Sequence, residues 1–235
     1  MEEITGASVV LKAGEPDEGE LSLINAQALR PLRLEEIFTF KMEACDNSID
    51  RDFERFTDRA LEQMAKLFVG KPVLRDHDWM AGSQTARVYA ASVETDGSRK
   101  RLILRCYMPR TPGTEETIAA IESGVIRECS VGLRVQKSVC SICGAVQQEA
   151  MCRHYPGKEY DGQLCHLDLD DVTDVYEVSL VAVPAQPAAG VVKANRYGLL
   201  DPPVRGPKEP PQNDAKMLQR ARAHLELEKI RYGGM

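Results

Sequence analysis

The stretch "VYEVSLVAVPA", residues 175–185, is dense in β-branched residues and carries one carboxylate, Glu177, inside an apolar run. Such residues suit a pleated, half-buried surface, so the stretch predicts a strand. In a regular strand Glu177, Ser179 and Val181 share one face, and Tyr176, Val178 and Leu180 the other. A carboxylate there is costly to bury unless something pairs with it. Glu177 is therefore either a salt-bridged or edge-exposed residue, or part of a site. A second run, "VIRECSVGLRV" at 125–135, carries Ser130 followed by Val131 and Gly132. Most strand serines do no chemistry. Here the glycine two residues on removes the side chain on the same face, which either leaves room for a substrate backbone beside the hydroxyl or marks a strand bend.

Around these two strands the chain reads as more strands with a few helices. "EIFTFKMEAC" (36–45) alternates Ile37, Thr39 and Lys41 against Phe38, Phe40 and Met42, a strand with one dry face. "IDRDFERFTDRALEQMAKLFVG" (49–70) places Phe53, Phe56, Ala60, Leu61, Met64, Leu67 and Phe68 at three- and four-residue steps, which predicts an amphipathic helix ended by Gly70. "KPVLRDHDW" (71–79) reads as a short extended segment. "TARVYAASVETDGSRKRLILRCYMP" (85–109) reads as two strands joined at "DGSRK". "GTEETIAAIESGVI" (113–126) is a short helix with Thr114 as N-cap and Gly124 at its end. The fold class is mostly β with helices (α+β).

The expected organisation is a flexible N-terminus (1–20), a body (21–195) that includes a cysteine-rich insertion (138–166), a Pro-rich linker (196–214) and a C-terminal helical piece (215–235). The chain has 235 residues and a net charge of −6, so non-specific nucleic-acid binding is disfavoured. No apolar run reaches the roughly 18 residues of a membrane span. The acidic start "MEEITGASVVLKAGEPDEGE" lacks the order of a signal peptide, so a cytosolic protein is expected.

Three residues form a candidate catalytic set. A serine needs a base to take its proton, and the base needs a third group to fix its tautomer. His77 is the only histidine outside the insertion and the tail. Ser130, His77 and Glu177 would supply nucleophile, base and orienting acid from three separate elements. Asp76 and Asp78 are alternative orienters, ranked lower because an extended segment points them away from His77. Arg134, on the Ser130 face of a regular strand, is a candidate for a salt bridge or for stabilising developing charge.

The insertion holds a second constellation. Seven cysteines without a secretion signal argue against a disulfide framework. Cys45, Cys106 and Cys129 read as small core residues. Cys140 and Cys143 form a C-x2-C knuckle, and Cys152 and His154 a C-x-H pair, a donor set that suits tetrahedral Zn2+. Cys165 is an alternative to His154. Four protein ligands would close the shell, so the expected site is structural.

His77 in "KPVLRDHDW", a helix, Ser130-Val131-Gly132 in "RECSVGL", and Glu177-Val178-Ser179-Leu180-Val181 with Pro184-Ala185 follow one another in an order that resembles the tailed-phage prohead (capsid maturation) serine proteases. That family is similar in fold to the herpesvirus assemblins. The resemblance covers roughly residues 35–195. It implies a compact, mostly antiparallel β-barrel and a serine endopeptidase working through a Ser130–His77–Glu177 triad and an acyl-enzyme. It implies phage scaffold and major capsid protein as substrates, with self-cleavage and a homo-oligomer as further expectations. The location it implies is the host cytoplasm, inside the immature prohead, for a phage or prophage protein. No membrane and no specific nucleic acid are expected as partners. The alternative is a catalytically inactive, zinc-containing capsid assembly or binding protein on the same fold.

Overall fold

Why the sheet takes its shape is decided by one long strand near the end of the body. The computed structural model describes residues 16–150, 152–184, 186, 190 and 191. The expected linker (196–214) and C-terminal helix (215–235) lie outside the described residues. In chain order the elements are α1 (Glu18–Asn25), β1 (Ile37–Asp46), β2 (Glu54–Phe56), α2 (Asp58–Leu67), β3 (Pro72–Arg75), β4 (Ala86–Asp96), β5 (Arg99–Pro109), α3 (Glu115–Glu122), β6 (Glu128–Cys140), β7 (Glu159–Tyr160), β8 (Gln163–Leu164), β9 (Leu167–Val181) and β10 (Gly190–Val191). The fold is mixed α+β and mostly strands.

β9 organises the sheet. β6 lies antiparallel to it along its whole length, from Glu128 opposite Val181 to Cys140 opposite Leu167. β2 and β3 therefore share the other edge of β9, both parallel to it. From β3 the order continues through β4 and β5 to β1. Two parallel pairs thus stand within the mostly antiparallel arrangement that was expected. α2 returns the chain between β2 and β3, so both strands must run the same way along β9. Between β1 and β6 only β10 intervenes, meeting β6 at the single pair Gly190–Glu128. A two-residue link does not make a continuous wall, and the sheet is not closed into a barrel.

Several local expectations are also redrawn. The helix expected over 49–70 begins only at Asp58, because the Thr57 hydroxyl accepts the Ala60 amide and caps it. Phe56 is a β2 residue that still reaches the core; Phe53 sits in the preceding turn at φ 58°. Of the stretch 1–20 expected to be flexible, residues 17–20 are built into α1 and its cap, where Asp17 accepts the Glu20 amide at 2.7 Å, and residues 1–15 lie outside the described residues. β1 has two dry faces. Phe38, Phe40 and Met42 enter the main core, while Ile37 packs with Ile24 of α1, Tyr89 and Tyr107 on the opposite side. Buried Glu43 and Asp46 at its far end are paired by Arg99 and Arg101 of β5.

The β4–β5 hairpin matches expectation, turning at Gly97-Ser98 with Gly97 at φ 60°. Thr114 precedes α3 as expected, but its hydroxyl makes no cap bond to the helix. The main core is formed by α2, through Ala60, Leu61, Met64 and the adjoining Phe68, against apolar residues of β1, β4, β5, β6 and β9. Among the described residues no helix is long and apolar enough to cross a membrane.

Met64 is fully buried on α2. Met64→Ala is expected to cost about 2–5 kcal/mol, read as a lower urea midpoint of the full chain with its metal content unchanged.

Candidate functional site

β3 runs parallel to β9 until Arg75, opposite Leu180. The chain then turns sharply. Asp76 and His77 both adopt positive φ, 52° and 54°, a left-handed conformation that is unfavourable for residues with a side chain. One tertiary and one local bond hold it: the Asp76 amide donates to Leu180 O (3.0 Å), and the Asp78 amide closes the turn on Arg75 O (2.9 Å). The segment is thus not extended, and the reason given for ranking Asp76 and Asp78 below Glu177 does not hold. Asp78 instead fastens the following turn, accepting from the Met80 amide and the Ser83 hydroxyl.

The turn brings His77 onto Glu177. His77 Nδ1 lies 2.7 Å from Glu177 Oε1. The Glu177 side chain is only 2 % exposed, against 42 % for His77. A carboxylate without a proton can only accept, which assigns the imidazole proton to Nδ1 and leaves Nε2 as an acceptor. The other carboxylate oxygen, Oε2, accepts from the Ser179 hydroxyl at 2.6 Å. Ser179 in turn accepts the His77 backbone amide at 3.1 Å.

The β6–β9 register sets the rest. Ser130 stands opposite Ser179, and Gly132 opposite Glu177. Directly opposed residues share a sheet face with Cβ atoms about 4.5–5.5 Å apart. Ser130, Gly132, Glu177 and Ser179 are therefore on one face, while Cys129, Val131, Val178 and Leu180 pack in the core behind it. Ser130 is half-buried. Its hydroxyl makes no hydrogen bond to His77 among the described residues; such contacts are often loose before substrate binds. The structure thus joins His77 to Glu177 and sets Ser130 on the same face across the ladder.

Of the two roles expected for Gly132, the strand bend agrees with the ladder and the substrate room does not. A Cβ built there would lie 2.3 Å from Glu177 Oε1. The glycine makes room for the carboxylate, not for a substrate backbone. The ladder is irregular just beyond it, Gly132 pairing with Glu177 and Leu133 with Val175. Tyr176 falls in that bulge and is exposed, with its ring 5.5 Å from that of Trp79, and does not face the core with Val178. Arg134 is exposed opposite Asp174.

The second constellation lies at the other end of the same ladder. One donor atom each from Cys140, Cys143, Cys152 and His154 fall within 4.8 Å of one another, a cluster that could hold a metal ion such as zinc. Cys140 Sγ is 3.8 Å from His154 Nδ1 and 4.0 Å from Cys165 Sγ. Ligand–ligand edges of about 3.8 Å follow from Zn–S bonds of about 2.3 Å in a tetrahedron, so the donors present fit zinc.

The knuckle closes through the Gly144 amide on Cys140 O, with Gly144 at φ 71°. Burial raises the Cys140 thiol, but backbone N–H groups of Cys143 and Ile142 lower it on balance. The Gln147 amide, 3.2 Å from Cys152 Sγ, lowers the Cys152 thiol. Burial pushes the Cys165 thiol up to about 11. Tyr160 meets the His154 ring edge-on at 4.5 Å. Ten residues of β6 separate Ser130 from Cys140, about 30 Å at roughly 3.3 Å per residue. The metal cluster is thus remote from His77 and Glu177.

The chain matches no protein-family model, no curated protein and no solved structure.

Two outcomes are expected. Gly132→Ala destabilises the protein by about 1–3 kcal/mol through overpacking, whereas Gly82→Ala, with open space around it, shifts the urea midpoint little. In elemental analysis of purified protein, His154→Ala loses the bound zinc and Cys165→Ser retains it; the reverse pattern would make Cys165 the fourth ligand.

Proposed function

We propose that the protein is a serine endopeptidase of the prohead maturation type, with Ser130 as nucleophile, His77 as base and Glu177 as the orienting acid. The observation that carries this reading is the buried Glu177 carboxylate bonded to His77 Nδ1 on the sheet face that also bears Ser130. In the reaction, Ser130 Oγ attacks the scissile carbonyl carbon and its proton passes to His77 Nε2. That proton is then given to the leaving amine as the peptide C–N bond breaks. Water, deprotonated by the same nitrogen, releases the acyl group and restores Ser130. Glu177 stabilises the imidazolium formed at each step and stays ionised.

The order of motifs supports phage scaffold and major capsid protein as substrates, the interior of the immature prohead as the place of action, and an assemblin-like fold for the sheet. Self-cleavage belongs to the same reading. The metal cluster has four protein donors and no free position, which supports a structural zinc that holds the insertion together. The second reading, an inactive zinc-containing assembly protein, is favoured by one observation: Ser130 is not hydrogen-bonded to His77.

Co-expression with the cognate capsid and scaffold proteins, followed by mass-spectrometric mapping of termini, separates the two. Defined cleavages are expected with the wild type and none with Ser130→Ala, while Glu177→Gln slows them by on the order of 10²–10⁴-fold. Identical termini in wild type and a folded, zinc-loaded Ser130→Ala protein would leave the assembly reading standing.

A further inference from the structure

We infer that Ser179 is a positioning residue for the His77–Glu177 pair, the group that fixes both the carboxylate and the backbone of the histidine turn. Its catalytic consequence rests on the peptidase reading; its geometry does not. Ser179 is fully buried on β9, two residues from Glu177 on the same face. A hydroxyl has one proton and two acceptor lone pairs. Ser179 commits its proton to Glu177 Oε2 and accepts the His77 amide with a lone pair. The carboxylate is thereby held at both oxygens, one by Ser179 and one by His77 Nδ1, and cannot rotate without losing a bond inside a dry site.

The same hydroxyl also rewards the left-handed turn. With Asp76 and His77 both at positive φ, the His77 amide points back at β9 rather than onward along it. Strain of this kind persists where surrounding bonds over-determine it. The Asp76 amide on Leu180 O and the His77 amide on Ser179 Oγ are two such bonds, one to the backbone and one to a side chain. Without the hydroxyl, Glu177 Oε2 and the His77 amide would both be left without their partner. The imidazole would then be free to exchange tautomers or swing out, its ring being already half exposed.

The test uses full-length, zinc-loaded protein labelled with 15N at histidine. At a pH above the imidazole titration, wild-type His77 is expected as the single Nδ1–H tautomer. Ser179→Ala should give a mixture of tautomers and Ser179→Thr should restore the single form. Labelling of Ser130 by a fluorophosphonate should slow at least tenfold in Ser179→Ala and recover in Ser179→Thr. An unchanged tautomer and labelling rate in Ser179→Ala would overturn the inference. If that variant does not fold, hydrogen exchange of the wild-type His77 amide decides: strong protection supports the bond to Ser179, and exchange at the rate of a free loop amide overturns it. A wild-type Ser130 that does not label at all would instead count against the peptidase reading, leaving the tautomer result to judge Ser179.

Discussion

One buried carboxylate sets the terms for the rest of the site. Glu177 lies in a strand whose neighbours belong to the core, and a charge there is tolerable only if every oxygen is bonded. His77 and Ser179 supply those bonds. Three features that look unrelated along the chain follow from this requirement. Gly132 must lack a side chain because the carboxylate occupies the space above it. Asp76 and His77 must turn left-handed so that the imidazole reaches back to β9. Ser179 must be a hydroxyl residue because Oε2 needs a donor and the His77 amide needs an acceptor.

The long β6–β9 ladder carries two kinds of order at its two ends. At one end polar side chains converge over a dry core; at the other a cluster of thiols and an imidazole ties off the insertion. The insertion is also braced against the body. Leu167 donates to Phe53 O, and a Cβ on Gly157 would meet the Phe53 ring at 2.7 Å, so only glycine fits there. Phe53, itself at φ 58°, is thereby a contact between the cysteine-rich insertion and the turn before β2. A metal held by that cluster would lie about 30 Å along β6 from Ser130, too far to touch that end of the ladder, and would brace the end that bears Cys140.

What the sequence made legible divides along local and non-local lines. The β4–β5 hairpin was readable because Asp96-Gly97 specifies a tight turn by itself. The cysteine knuckle was readable because metal chemistry imposes its own spacing. β2 was not: Phe53 and Phe56 fall at helical steps from the residues of α2, and only pairing with β9, over a hundred residues away, makes that segment a strand. The parallel arrangement of β2 and β3 was hidden for the same reason. His77 and Glu177 stood out as polar residues in unexpected places, whereas Ser179 did not, since a strand serine carries no mark of what it bonds. Its one signal was the two-residue spacing from Glu177, which puts both on one face.

The asymmetry of exposure across the His77–Glu177 pair bears on what the pair is for. A salt bridge serving stability alone gains little when one partner is fully desolvated and the other half in water, because desolvation of the buried charge offsets most of the attraction. An apolar pair of similar volume would hold β3 to β9 at least as well. The arrangement makes better sense for chemistry. The acid is shielded, so its charge acts on the imidazole through a low dielectric, and the outer nitrogen stays open to a proton donor. A substrate lying over Ser130 would cover that open side and exclude water, strengthening the interaction when the imidazolium forms. Stability alone gives no reason for the site to be buried on the Glu177 side and exposed on the His77 side; on the proposed peptidase reading the buried acid orients the imidazole and the exposed side leaves Nε2 open to a proton.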